Sequence, residues 1–219
     1  MSKTKEAVQI WNRYQITLQM EGEFGASIPK TEKEIRGMLE NRMPKNKPDG
    51  GQPIEDLVEE VSSQVDTEEE TEFGWLTFKR DDEGLLYEGR CIRGHLKDCA
   101  LAGKDFFPDI KVFRSKVVNR MYIEESMIPV YKDDVRVTEP DEAQQRFIQV
   151  MTRQGPRSTI KYVDYVDSPT ITFHIRLLND GLIDIDHIKT MFEYGATHGM
   201  GAERSQGWGR YSVVDIKQI

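Results

Sequence analysis

A glycine-rich segment near the C-terminus has the composition of a phosphate-contacting loop. It holds five glycines between residues 195 and 209: Gly195, Gly199, Gly201, Gly207 and Gly209. Glycine tolerates positive φ and close approach by another molecule, and successive free backbone amides form anion-binding concavities. The segment lies between a predicted helix and the last predicted strand, so a tight structural connection is the alternative interpretation.

Three side chains of this segment add nucleic-acid chemistry. Arg204 and Arg210 offer charge and bidentate geometry toward phosphate groups, and Trp208 offers a face on which a base can stack. In the alternative interpretation, Trp208 is a core residue of a structural turn. The spacing of a nucleotide-binding P-loop is absent. The segment also precedes the last strand instead of following the first, unlike a dinucleotide-binding fingerprint.

Metal and cofactor chemistry is not indicated by the residue pattern. Asp184 and Asp186 stand at the start of a predicted helix, a position typical of helix caps. No cysteine–histidine cluster has zinc-site spacing. If Cys91 and Cys99 share a helix, about 12 Å separates them, which is too far for a disulfide. We therefore expect no metal, no cofactor and a reducing compartment.

Charge is unevenly distributed along the chain. The net charge is −8, but residues 48–78 hold ten acidic side chains and no Lys or Arg. Residues 86–120 carry eight basic against four acidic side chains, and residues 143–163 carry four basic ones and no acid. A local basic surface for a nucleic acid is therefore compatible with the acidic total. No apolar run reaches the ~20 residues of a membrane span, and the first ten residues lack an export signal, which favours the cytoplasm.

Hydrophobic periodicity predicts the elements that would position these residues. The clearest periods predict strands over 10–20, 170–178 and 210–216, and helices over 90–102 and 185–194. We expect 117–131 to be extended, the first of these helices to stop at Gly103, and 195–209 to form a loop.

The other segments are predicted to be insertions. Thr31 and Glu34 have capping-box spacing ahead of a short helix, and the Pro- and Gly-rich stretch 44–53 is a predicted linker. An acidic amphipathic helix follows from Ile54, within the acidic segment 54–72. Residues 73–80 and 85–88 are predicted to form a hairpin, and 153–157 a loop.

Two motifs resemble those of a known superfamily. Residues 199–211, GMGAERSQGWGRY, resemble a C-terminal glycine-rich loop, and residues 92–97, IRGHLK, resemble a first-helix motif. Both are features of the repeat-associated mysterious protein (RAMP) superfamily, the RNA-binding and crRNA-processing proteins of CRISPR systems. The order strand, helix, strand, strand, helix, glycine-rich loop, strand is similar too. The closest similarity is to short stand-alone relatives from phage and prophage genomes.

This resemblance implies a fold and a domain organisation. Residues 1–219 would form a single α+β domain with a ferredoxin-like (RRM-like) antiparallel sheet and helices on one face. The insertions would be 24–88, with its helices and hairpin, and about 105–165, which would hold a possible thumb hairpin.

The resemblance also implies a nucleic-acid-binding site. On the first helix it would include Arg93, His95 and Lys97. At the loop it would include His198, Arg204, Ser205, Gln206, Trp208 and Arg210, together with Gly199, Gly201, Gly207 and Gly209. In the interval of the thumb it would include Lys111, Arg114, Lys116, Arg120, Arg153 and Arg157.

The resulting hypothesis is non-enzymatic binding of single-stranded RNA or DNA, RNA favoured, along the sugar–phosphate backbone. The protein would be a subunit of a multimer with copies of itself or other RAMP-like subunits, in a CRISPR effector or a phage-borne filament connected with antiviral defence. One alternative is a metal-independent RNA-processing endoribonuclease with His95 or His198 as general acid/base. Another is a phage single-stranded DNA-binding protein, or a protein–protein module that mimics or inhibits a CRISPR complex.

Overall fold

The computed structural model describes residues 9–43, 52–68, 74–152 and 155–219, and shows a mixed α+β fold. In chain order its elements are β1 (Trp11–Glu21), β2 (Glu23–Gly25), β3 (Ile28–Pro29), α1 (Glu32–Arg42), α2 (Ile54–Ser62), β4 (Gly74–Thr77), β5 (Lys79–Arg80), β6 (Leu85–Glu88), α3 (Gly89–Phe106), α4 (Phe113–Val118), β7 (Met121–Ile123), β8 (Met127–Lys132), β9 (Val135–Arg136), β10 (Glu142–Thr152), β11 (Gly155–Asp167), β12 (Thr170–Leu178), α5 (Ile185–His198) and β13 (Arg210–Gln218). No helix in these ranges is long and apolar enough to cross a membrane.

The strands form two sheets. The main sheet is antiparallel and runs β13-β1-β12-β8-β6-β5, with β7 also paired to β12 and β9 to β8. The second sheet runs β10-β11-β4-β3, with β2 paired to β11, and its β11–β4 pair is parallel.

One face of the main sheet is buried because its central strands alternate strictly. In β1, Ile16 and Leu18 are fully buried, and they lie opposite the buried Phe173 and Ile171 of β12. Helices α3 and α5 pack over this apolar face and contribute Ile92, Leu96, Ile188 and Phe192 to the same core. The predictions of strands at 10–20 and 170–178 are thereby confirmed.

The first predicted helix extends one turn further than expected. We predicted a stop at Gly103, but α3 continues to Phe106. Gly103 lies within the helix as a packing position. A Cβ there would stand 2.6 Å from the ring of Phe113, so glycine allows α4 to pack closely on α3. The rings of Phe107 and Phe113 stack at 5.0 Å and extend this contact.

Helix α5 begins where the sequence places it and ends later. Asp184 caps it by accepting from the amides of Asp186 and His187, and the side chain of His187 completes a capping box. Gly195 belongs to the helix, so the predicted loop 195–209 begins only at Gly199.

Two predicted strands are interrupted. The stretch 117–131 begins inside the helix α4, and a break at 124–126 separates β7 from β8. The stretch 73–80 breaks at Phe78, where the chain leaves β4 in the second sheet for β5 in the main sheet. Only β5 pairs with β6 as the predicted hairpin.

The insertions carry a small core and a long hairpin. Thr31 caps α1 and accepts from the amide of Glu34, as predicted, and Ile35 packs with Val58 in a separate apolar cluster. The acidic helix α2 ends at Ser62, and the linker 44–53 lies mostly outside the described residues. Strands β10 and β11 pair continuously from Glu142↔Tyr165 to Thr152↔Gly155, within the segment expected to hold a thumb hairpin. Residues 155–157 of the predicted loop belong to β11.

Candidate nucleic-acid interface

The glycine-rich loop is held mainly by its own backbone. The amide of Met200 donates to the carbonyl of Gly209 (2.9 Å), and the amide of Gly209 donates to Glu23 of β2 (2.8 Å). A Cβ on Gly199 would collide with the carbonyl of Trp208, and one on Gly209 would collide with the carbonyl of Met200. Positive φ at Gly199 and Gly209 therefore serves the folding of the loop itself, as in the structural interpretation.

Trp208 lies in the protein interior and is not a stacking surface. It is 4% exposed, its ring is 5.4 Å from that of Tyr165, and the Arg146 guanidinium lies 4.5 Å from its ring centre. The prediction of a base stacked on Trp208 is therefore wrong for this structure. The indole instead packs the loop against the hairpin β10–β11.

His95 is also buried. It is 3% exposed, and its Nε2 lies 2.9 Å from the hydroxyl oxygen of Tyr211, which itself donates to the carbonyl of Phe192. Because the hydroxyl proton of Tyr211 is already donated to Phe192, Nε2 of His95 must carry the proton and donate to the hydroxyl oxygen. Nδ1 is then the unprotonated nitrogen. Nδ1 is buried without a partner. His95 was predicted to contact nucleic acid, and its burial between α3, α5 and β13 removes it from the surface.

Burial also shifts the pKa of His95. It is lowered to about 4, first by desolvation and then by the nearby charges of Arg204 and His198. His95 is therefore neutral at neutral pH. Because the ring is enclosed and has no path to a substrate, its position does not favour the ribonuclease alternative.

The outer side of α3 keeps its predicted basic residues. Arg93 and Lys97 are exposed, and Arg93 reaches across to the carbonyl of Val118 in α4 (3.3 Å). The next residue along α3, Asp98, accepts two hydrogen bonds of 3.1 Å from Arg204. α3 therefore lies between α4 on one side and the loop on the other.

Helix α4 continues the basic surface. Lys111 is exposed just before this short helix. Within the helix, Arg114 is exposed and Lys116 is half-buried. None of the six basic residues between 93 and 116 pairs with a carboxylate of the described residues: Arg93, Lys97, Lys104, Lys111, Arg114 and Lys116. Ion pairs hold most of the other described basic side chains, such as Arg80, Arg90, Arg136 and Lys189.

The residues predicted for the thumb divide among several elements. Lys111, Arg114 and Lys116 belong to the α4 region, and Arg120 is bound to Asp180 (2.7 Å). Arg157 lies exposed on β11, in the hairpin. Arg153 lies outside the described residues.

The loop presents its polar residues outward. Arg204, Ser205 and Gln206 are exposed on a single 3-10 turn, and Arg210 is exposed at the start of β13. His198 is exposed at the end of α5, where its ring stacks on Tyr194 at 5.3 Å. A Cβ at Gly207 would have only side-chain atoms of Arg210 within 4 Å, so the space beside this residue is otherwise unoccupied.

Sequence reasoning missed two basic residues that join the loop to the hairpin. Lys161 of β11 pairs with Glu203 (2.5 Å), and Arg146 of β10 lies over Trp208. The signal was the absence of acidic residues from 143–163. Together these contacts place α4, α3, the loop and the base of the hairpin side by side, in that order.

One group among the described residues has metal-ligand proximity. It consists of Glu124, Glu125 and His174, whose ligand atoms lie within 4.8 Å of one another. Glu124 is already bound by two arginines, and Glu125 accepts from the amide and faces the Nδ1 of His174. These pairings account for the cluster without an ion.

Comparisons with known proteins leave the family open. No protein-family model and no curated protein matches the sequence. Among solved structures, the chain is similar to one in the cryo-EM structure of the type III-B Cmr-β complex bound to cognate target RNA, with 10% sequence identity and a TM-score of 0.49. The similarity covers 96% of this chain and 61% of that one, so this chain spans about three-fifths of its length.

Proposed function

We propose that this protein binds single-stranded nucleic acid, RNA in preference to DNA, along the sugar–phosphate backbone and without cleaving it. The surface is the outer side of α3 and α4 together with the exposed turn of the glycine-rich loop. Arg93, Lys97, Arg114, Arg204 and Arg210 are its main contacts.

The proposal rests on the charge distribution. In a chain of net charge −8, the basic residues 93–116 have no carboxylate partner among the described residues. They lie on two adjoining helices or, for Lys111, on the segment that joins them. Uncompensated Lys and Arg side chains on one surface are typical of phosphate binding, because releasing counterions from the strand drives association. Arg204 adds a guanidinium that Asp98 holds in place beside α3.

Backbone recognition fits the side chains at this surface better than base recognition. Two of the three predicted contacts with ring faces, Trp208 and His95, are buried, and the ring of the third, His198, is stacked on Tyr194. Lys and Arg contacts to phosphate fix the position of a strand and carry no sequence information. Binding should therefore be tolerant of sequence and sensitive to salt. The antiparallel order β13-β1-β12-β7, with α3 and α5 on one face, supports a ferredoxin-like core as the scaffold.

Charge reversal on this surface tests the proposal. We expect Lys97→Glu and Arg210→Glu each to weaken binding of a labelled single strand severely at low salt, by fluorescence anisotropy. Lys33→Glu is the matched control, because Lys33 is exposed on α1, has no carboxylate partner among the described residues, and changes the net charge equally.

The control separates a defined surface from a general charge effect. Equal losses in all three variants would contradict the proposed location, and unchanged binding in Lys97→Glu and Arg210→Glu would contradict the function. Gel analysis of the same mixtures reports strand integrity. Cleavage without metal, abolished by His198→Ala, would favour the ribonuclease alternative instead.

Multimeric assembly is a second part of the proposal. Helix α2 exposes Asp56, Glu59 and Glu60, which have no basic partner among the described residues, so it offers an acidic face to the basic surface of a neighbour. Such a head-to-tail contact is heterologous and forms open filaments. We expect the mass of the complex to grow with strand length in light scattering; a constant one-to-one complex would contradict assembly.

A further inference from the structure

Two arginines face each other on the side of the main sheet that the helices leave uncovered. In the β1–β12 register, Arg13 lies directly opposite Arg176. Like charges in this position destabilise a sheet. Both side chains are nevertheless about half exposed, at 45% and 51%. Their charges must therefore be balanced by a third group, and their exposed parts remain open to solvent.

A single carboxylate organises the two guanidinium groups. Glu124 accepts from Nε and Nη2 of Arg13 (2.9 and 2.7 Å) and from Nε of Arg176 (2.5 Å). These hydrogen bonds, those from Arg13 first, lower the pKa of Glu124 to about 2. Glu124 is therefore shared by both guanidinium groups, which it holds side by side on this face of the sheet. In the described residues, both terminal nitrogens of Arg176 lack an acceptor, so they remain free to bind one from outside.

Exposed aromatic rings flank the arginine pair on the same face. Tyr122 of β7 lies directly opposite Arg176 and is 54% exposed. Trp11 precedes Arg13 by two residues in β1, so it points to the same side, and it is 39% exposed. Two strand spacings across and two residues along put Trp11 and Tyr122 about 12 Å apart. We call Trp11, Arg13, Arg176 and Tyr122 the sheet platform.

We propose that the sheet platform is a second nucleic-acid site, which stacks the bases of a single strand. Aromatic rings and guanidinium planes stack on unpaired bases, and a flat sheet with two exposed rings accommodates two or three of them. The neighbouring Glu125 is bound to His174, so no unpaired carboxylate of the described residues faces the platform from β7 or β12. The two exposed guanidinium groups supply hydrogen-bond donors for the phosphates between the stacked bases.

The platform is separate from the glycine-rich loop. The loop joins β13 at Arg210, which pairs with Glu21 at the far end of β1. Eight residues of strand separate Arg13 from Glu21, which is about 27 Å. The platform also lies on the sheet face opposite α3 and α5. A substitution at one surface therefore leaves the side chains of the other in place, so the two surfaces can be tested by separate variants.

Tryptophan fluorescence and base-free strands test the platform. Trp75 packs against Lys30 and Tyr162, and Trp208 is buried, so the exposed Trp11 should dominate quenching by oligouridine. We expect Trp11→Ala and Tyr122→Ala each to weaken oligouridine binding about tenfold and to leave binding of an abasic strand unchanged. Tyr131→Ala is the matched control: Tyr131 is exposed beside Thr170, six residues from Arg176 along β12.

The outcomes distinguish this site from the α3 surface. Wild-type affinity for oligouridine in both platform variants would overturn the platform, and so would an equal loss in Tyr131→Ala. If platform variants keep their affinity while Lys97→Glu loses it, the platform fails and the proposed function stands. If platform variants lose affinity while Lys97→Glu and Arg210→Glu keep it, the platform stands and the α3 surface fails.

Discussion

Acidification should destabilise the protein through His95. Its pKa is about 4 in the folded protein, and an unfolded histidine has a pKa of about 6.5. At a pH between these two pKa values, His95 is protonated in the unfolded chain and neutral in the folded protein. The folded protein does not bind the proton because a protonated Nδ1 would be buried without an acceptor. The stabilising effect of neutral His95 is complete above pH 6.5 and is lost as the pH falls toward 4.

The size of the effect follows from the shift. A difference of about 2.5 pKa units corresponds to about 3.4 kcal/mol over the whole window, and to about 2 kcal/mol between pH 7 and pH 5. Typical domains have a free energy of unfolding of about 5–15 kcal/mol, so this loss is a measurable part of the total.

Urea unfolding followed by circular dichroism at pH 7 and pH 5 measures the loss. The matched variant is His95→Gln, whose amide can still donate to Tyr211 but does not titrate. Other titrating groups are shared, so the wild type should lose about 2 kcal/mol more than the variant. Parallel pH dependence in the two proteins would refute the assignment of His95 as a buried neutral histidine.

Three further substitutions, with Gly94→Ala as a control, probe how the elements are held. Gly195→Ala should lower the free energy of unfolding by about 2 kcal/mol, because its Cβ would stand 2.5 Å from the buried imidazole, whereas Gly94→Ala, in open space on α3, should leave it equal or higher. Glu88→Gln should cost about 3 kcal/mol by leaving Lys79 charged and buried without its partner. Asp184→Ala should cost about 1 kcal/mol through loss of the α5 cap. Urea unfolding at pH 7 measures all of them, and changes within ±0.3 kcal/mol at Gly195, Glu88 or Asp184 would contradict the corresponding contact.

Local patterns were sufficient where one face of an element is buried. β12 runs from Thr170 to Leu178, as its alternation predicts, because its inward residues Ile171, Phe173 and Ile175 each meet a buried residue of β1. The caps at Thr31 and Asp184 depend only on residues within one turn, so sequence spacing reveals them. Arg93 and Lys97 are exposed, as a role in binding requires, because they lie off the apolar stripe of α3, which consists of Ile92, Leu96, Cys99 and Ala100.

The roles of Gly103, His95 and the loop glycines depend on contacts between residues distant in sequence, which local patterns do not reveal. Gly103 resembles a helix stop, but the ring of Phe113 makes it a packing position. His95 lies one turn before Cys99 of the apolar stripe, which was a signal for burial, but only the close approach of α5 at Gly195 encloses the ring. The loop needs its glycines because a Cβ would collide with the loop's own carbonyl groups. Composition alone does not distinguish this need from the need to leave room for a ligand.

The salt dependence of single-strand binding tests the central claim most directly. For single strands, the slope of log K against log salt is about −0.7 per phosphate contact. We expect measurable binding at low salt, and a slope about 1.4 shallower in the double variant Arg93→Gln/Lys97→Gln, which removes two contacts. The same slope is expected in Lys132→Gln/Lys189→Gln as in the wild type. No binding at low salt, or an unchanged slope in the α3 variant, would contradict a nucleic-acid-binding surface on α3.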